Sequence, residues 1–153
     1  MIPKVVPKIC IVDYGRGNLR SVINALEYVT DCNVCVSNKK KELDSSDILI
    51  LPGVGSFSDA IGNLHERDLF DKLNDEVINR KKPLMAICLG MQLVMDSSEE
   101  GGVSQGFGWI PGKVARFKVS NEYRVPHMGW DNIQIKKRSD LFKGIEQNPD
   151  FYF

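Results

Sequence analysis

The chain has 153 residues, 42% of them hydrophobic, and its twenty basic side chains balance twenty acidic ones. That suits one soluble domain, and zero formal net charge gives no general pull toward nucleic acid or anionic membranes. No apolar stretch reaches the roughly 18 residues of a spanning helix, and the start of the chain lacks the apolar core of a signal peptide, so a cytoplasmic protein is expected.

In chain order, Ile9-Cys10-Ile11-Val12 reads as a buried strand and Asp13–Asn18 as the turn after it. Leu19, Val22, Ile23, Leu26 and Val29 recur at helical spacing. Val34–Val36 fits a second short strand, while Lys39-Lys40-Lys41, offset at once by Glu42 and Asp44, reads as a solvated helix start or loop. Ile48–Leu51 is a continuous apolar run, as in strands covered on both faces, and Pro52-Gly53-Val54-Gly55 breaks it. A helical stretch follows from about Ser58 to Arg80, interrupted near Arg67-Asp68, with Ile61, Leu64, Leu69, Leu73, Val77 and Ile78 on its buried side.

Lys82–Gln92 then gives a short apolar strand, a turn carrying Cys88, and a helix directly behind it. Ala86 and Gly90 stand two residues either side of the cysteine, the layout of a nucleophile elbow with sulfur in place of serine oxygen. Small flanking residues permit the strained backbone of such a turn, and the start of a helix favours a thiolate, the form that attacks carbonyl carbon. The plainer reading of Cys88 is a small buried hydrophobe closing a core strand.

Beyond Ser97 the pattern shifts to short segments rich in glycine and turns, with strands expected over Lys113–Val119 and Asn132–Ile135, antiparallel or peripheral. Strands alternating with helices up to Met95 predict an α/β fold, an open and mostly parallel sheet with helices on both faces. Ligands gather at the carboxyl ends of such strands, where the glycine-bearing turns emerge. Cys10, Cys32, Cys35 and Cys88 have no disulfide-framework spacing. Cys32-Asn33-Val34-Cys35 matches a C-x-x-C pair formally, but no second pair or histidine cluster completes a zinc site, and no metal or cofactor is expected.

Gly15-Arg16-Gly17 is a poor dinucleotide fingerprint, because Arg20 occupies the place of the third glycine. Gly53-Val54-Gly55 has a better use. An amide of Val54 or Gly55, paired with that of Leu89 after the cysteine, would bind the negative oxygen formed when sulfur adds to a carbonyl. Taken alone the turn is only a turn; beside a cysteine elbow it reads as half of an oxyanion hole.

Pro52–Phe57, Ile87–Gln92 and Val125-Pro126-His127-Met128-Gly129-Trp130, with Asp13-Tyr14-Gly15 and Gly17–Val22 at the start, resemble the class I glutamine amidotransferases, whose sheet is flavodoxin-like. More narrowly they resemble the glutaminase subunits of imidazole glycerol phosphate synthases, in order and over nearly the whole chain. The resemblance implies that Cys88 attacks the side-chain amide of glutamine, ammonia departs, and water frees glutamate from the thioester. It also implies that Gly53, Gly55, Gln92 and Glu100 hold the substrate, with Glu100 in the loop Ser97–Glu100 taking its ammonium group. Ammonia would pass to a barrel-shaped cyclase subunit in histidine synthesis, with Tyr14, Asn18, Met128 and Trp130 at or near that partner. A solvated helix position for Gln92, an exposed charge for Glu100 and a core role for Met128 and Trp130 are the readings without the family.

The resemblance places the catalytic histidine and glutamate, two residues apart, after the strand that begins at Phe151. His65 and His127 match neither position. Residues 1–153 are therefore expected to form an amidotransferase domain incomplete at its C-terminus, poorly soluble and with negligible glutaminase activity alone, because losing the general base costs several powers of ten in rate. Asp131 stands where an asparagine is expected after Gly-Trp, and Arg16 where a smaller or apolar residue is common. A paralogue feeding ammonia to surface-sugar synthesis, a non-catalytic subunit of the same fold, and a cysteine hydrolase acting on esters or peptides are the alternatives.

Overall fold

The apolar runs of the first half pair as four parallel strands: β1 (Lys8–Val12), β2 (Asn33–Ser37), β3 (Ile48–Leu51) and β4 (Leu84–Ala86), in the order β2-β1-β3-β4. This arrangement belongs to a computed structural model describing residues 6–120, 124–137, 139–145 and 148–153. By contacts the chain divides into two compact units, Met1–Arg116 and Phe117–Phe153.

The two-residue period of the strands sorts their side chains to opposite faces. Ile9, Ile11 and Ile50 cluster on one face, under Leu19, Val22, Ile23 and Leu26 of helix α1 (Leu19–Val29). Cys10, Val12, Leu49 and Leu51 lie on the other. They are covered there by Leu43 of α2 (Lys40–Ser45), Phe57, Ala60 and Leu64 of α3 (Phe57–Glu66), and Leu73 of α4 (Phe70–Asn74). Each fully buried aliphatic side chain contributes about 1.5–3 kcal/mol, so this double-sided cover is the main source of cohesion.

The amino ends of the strands are joined by charge. Lys8 opens β1 with its Nζ 2.6 Å from Glu42 Oε2 and its N–H donating to Asp47 Oδ2 at 2.8 Å. Glu76, with no exposed surface, lies in a π-helical segment (Asp75–Asn79) among Lys82 at 2.6 Å, Lys72 at 2.7 Å and Arg80 at 3.3 Å. Lys82 Nζ also donates to the Leu43 carbonyl and, at 3.1 Å, to that of Asp44, so this lysine ties α2 to the approach of β4.

Several boundaries differ from the sequence-based expectations. Val29 is 72% exposed, since it ends α1 beyond the cover of the sheet. Ile78 is 41% exposed because it falls in the π-helical segment, whose wider turn rotates it off the apolar stripe. The break between α3 and α4 falls where expected, with Asp68 at φ 54°. Helix α5 spans only Leu89–Leu93, and Met95–Ser98 is strand β5, so Ser97 and Ser98 are buried strand residues rather than loop.

The strand expected over Lys113–Val119 is β7 (Ile110–Val114), running parallel to β5, with β6 (Ser104–Gln105) antiparallel on the other side. Pro111-Gly112 reads as a turn in the sequence, but β7 is the outer strand of this small sheet, where a missing N–H is tolerated. In the second unit, β8 (Trp130–Asn132) and β9 (Asp150–Tyr152) pair antiparallel, β8 starting two residues earlier than Asn132–Ile135 suggested. Trp130 packs edge-on to Tyr152 with ring centroids 5.7 Å apart.

Candidate active site

At the carboxyl end of β4 the chain turns through Cys88, whose φ of 55° and ψ of −116° lie outside the conformations a non-glycine residue prefers. Such a backbone costs about 1–3 kcal/mol and persists only when its surroundings enforce it. The Leu51 carbonyl at the end of β3 does much of that enforcing: it accepts the Ile87 N–H at 3.0 Å, on one side of Cys88. On the other side it faces Gly90, where a Cβ would stand 1.9 Å from the same oxygen. Only glycine permits that approach. Behind the turn, Met91 N–H and Gln92 N–H both donate to the Cys88 carbonyl, at 3.0 and 3.3 Å, starting α5 and setting Gln92 one turn away, half-buried.

Two cysteines show what this position does. Cys10, in the middle of β1, is wholly buried, and burial, with Cys35 beside it on β2, pushes its thiol up to about 12. Cys88 is solvent-exposed at a strand end. The reading of Cys88 as a small buried hydrophobe is thereby removed.

The Pro52–Gly55 turn meets the elbow directly. A Cβ on Gly53 would lie 2.9 Å from both the Gly90 nitrogen and the Leu89 Cβ, and 2.5 Å from the Tyr14 hydroxyl. That hydroxyl donates to the Pro52 carbonyl at 2.8 Å, and burial pushes it up to about 12. Among the described residues, the N–H groups of Val54, Gly55 and Leu89 donate to no protein acceptor. Three free donors on two adjoining turns, next to an exposed thiol, suit a transient anion.

Glu100 arrives from the turn after β5. Its Oε2 accepts the Phe57 N–H at 2.9 Å, and its own N–H donates to Ser98 Oγ at 3.1 Å. Ser56 caps the same helix by accepting the Asp59 N–H at 3.3 Å, so Glu100 stands at the start of α3, two residues past Gly55.

Tyr14 requires a correction. Assigned to a partner surface, it has no exposed area and anchors the Pro52 carbonyl instead. Its distance from Val12 was the available signal: two residues on, it continues the buried face of β1 beyond the strand. Asn18 is exposed, and its side chain accepts the Ser21 N–H at 3.4 Å to cap α1. Met128 and Trp130, in the second unit, are 69% and 75% exposed, which removes the core reading of this pair. His65 stacks on Phe70 at 4.3 Å, while His127 stacks on Phe153 at 5.3 Å and faces Asp131 at 3.5 Å. Among the described residues no three His, Cys, Asp or Glu side chains gather to hold a metal ion, and no helix is long and apolar enough to cross a membrane.

A family model described as glutamine amidotransferase class-I matches residues 10–152. The chain is 47% identical over 146 residues to the imidazole glycerol phosphate synthase subunit HisH 2 of Vibrio vulnificus strain YJ016, covering 95% of this chain and 68% of that protein. It is also 47% identical over 146 residues to the HisH subunit of Methanosarcina barkeri strain Fusaro, covering 95% and 70%. A solved glutamine amidotransferase structure superposes with a TM-score of 0.67 at 18% identity, over 94% of this chain and 69% of its own, a likeness of fold.

Proposed function

Because the chain belongs to the class-I glutamine amidotransferases, in the group of the imidazole glycerol phosphate synthase subunit HisH, we propose that it is the glutamine-hydrolysing subunit of such a synthase, acting in histidine biosynthesis. The observation that carries this reading is the juxtaposition of an exposed cysteine at φ 55° with a glycine turn whose amides are free. The thiolate of Cys88 adds to the side-chain amide carbon of glutamine, and the oxygen that becomes negative is held by Leu89 N–H with that of Val54 or Gly55. Collapse, as the nitrogen takes up the proton that the thiol gave up, expels ammonia and leaves a glutamyl thioester, which water opens to glutamate and the free thiol.

Gly53 matters as the wedge that seats the turn on the elbow. Gln92 and Glu100 fit substrate holding: one lies a helical turn beyond the nucleophile, and the other is a carboxylate able to take an ammonium group. In the second unit the exposed Met128 and Trp130 suit docking to the cyclase subunit, and in the first unit the exposed Asn18 does; that subunit consumes the ammonia in a lyase step, in a cytoplasmic one-to-one heterodimer.

In the assembled synthase, Cys88→Ala removes glutamine-dependent product formation by at least about a thousand-fold and leaves synthesis from ammonium salts intact. Loss of both activities would show that Cys88 supports the structure and not the chemistry. A surface-sugar paralogue would instead pass ammonia to a different acceptor and fail to complement a strain lacking the histidine-pathway subunit.

A further inference from the structure

The two halves of the Pro52–Gly55 turn are held very differently. Pro52 is fixed by the Tyr14 hydroxyl and Gly53 is wedged against Leu89 and Gly90. Val54 is 51% exposed, and Gly55, at φ +97°, has no such packing. Among the described residues outside its chain neighbours, one side chain stands on the side where a Cβ would project: a Cβ built on Gly55 would lie 3.6 Å from Arg16 Nη1. The other arm of that guanidinium, Nη2, meets Asp59 Oδ2 at 3.2 Å, and Asp59 lies in the first turn of α3, the helix into which Gly55 leads.

We propose that Arg16, tethered by Asp59, is a positioning residue that braces the Val54–Gly55 half of the turn so that its amides stay aimed at the oxygen formed on the substrate. The inference rests on the reading of this turn as part of the oxyanion hole. A planar guanidinium suits the task, since one arm meets a carboxylate while the other stands on the open side of Gly55. The pair is partly exposed, so its effect is moderate; but a donor displaced by a fraction of an ångström weakens the transition state more than the ground state. A brace therefore acts on kcat and leaves KM alone.

Two readouts decide it. The first is the backbone 15N order parameter of Val54 and Gly55. In Arg16→Gln and in Asp59→Asn it falls from about 0.85 toward 0.6, while α3 and α5 keep their values. The second is glutamine hydrolysis by the assembled synthase, as for Cys88→Ala above: each variant loses about three- to ten-fold in kcat at unchanged KM. Unchanged order parameters in both single variants overturn the brace, and a raised KM at constant kcat overturns it in favour of substrate contact. Cys88→Ala separates this from the parent reading: turnover that survives it refutes the glutaminase assignment, whereas the order-parameter result stands independently.

Discussion

The two ends of the same four parallel strands are built on opposite plans. At the amino ends, long charged side chains reach across gaps: Lys8 to Glu42, and Lys72, Arg80 and Lys82 to the buried Glu76, while Asp47 accepts the Lys8 backbone N–H. At the carboxyl ends there are few long side chains and the backbones themselves meet, with Gly53 against Gly90 and Gly90 against the Leu51 carbonyl. The first plan clamps elements together through ion pairs. The second brings turns close enough for free amides to surround one thiol, at the cost of a strained residue at Cys88. Stability and chemistry are thus separated along the strand axis, as expected where ligands gather at strand carboxyl ends.

Breaking the charged end tests that separation most severely. Glu76→Ala leaves a cavity and takes from Lys82 its carboxylate, while Lys72 and Arg80 keep Asp44, and lowers unfolding free energy by about 3 kcal/mol, read from urea denaturation midpoints. The rate at which a glutamine-analogue electrophile labels Cys88 in the remaining folded protein stays within two-fold, as an approximate bound for a site a full strand length away. A tenfold fall in that rate would mean the ends are coupled.

Gly90→Ala attacks the other plan and behaves in the opposite way. The added methyl must displace the Leu51 carbonyl, at a cost of roughly 2–3 kcal/mol, and it shifts the turn that carries Cys88. Labelling of Cys88 then falls by about a hundred-fold or more, because misplaced reacting groups lose that much. Destabilisation with unaltered labelling would show the close glycine approach to be mere packing.

How much of this was legible differs between the ends. The elbow could be read because its constraint is local: Ala86, Cys88 and Gly90 stand at a spacing that only a sharp strand-to-helix turn requires. The double-sided sheet was legible from the apolar runs of β1 and β3 for the same reason. The Glu76 cluster was not, since Lys82 stands beyond the helix and also donates to a backbone carbonyl of α2, and a carboxylate on a helix ordinarily reads as solvated. Tyr14 was misassigned because its partner, the Pro52 carbonyl, is 38 residues away and a backbone oxygen leaves no mark in sequence. β7 was displaced by the turn signal of Pro111-Gly112, which loses its force on an outer strand.

The mildest test concerns that tyrosine, which joins the two plans by being a buried polar group at the chemical end. Tyr14→Phe leaves the Pro52 carbonyl without its donor and costs about 1–2 kcal/mol at pH 8. Its pH dependence is more telling. The folded hydroxyl is pushed up to about 12 from an ordinary 10.0, so the stabilisation from keeping it protonated is complete below pH 10 and is lost as pH rises through 12. Cys10 adds a parallel loss that begins lower, from its ordinary 9.0 up to about 12. Urea midpoints should therefore fall steadily above pH 9 in the parent chain. In Tyr14→Phe the decline above pH 10 should be shallower, leaving the share of Cys10. An equally steep decline in the variant would mean that the tyrosine ionises freely, and that its burial does not hold the proton.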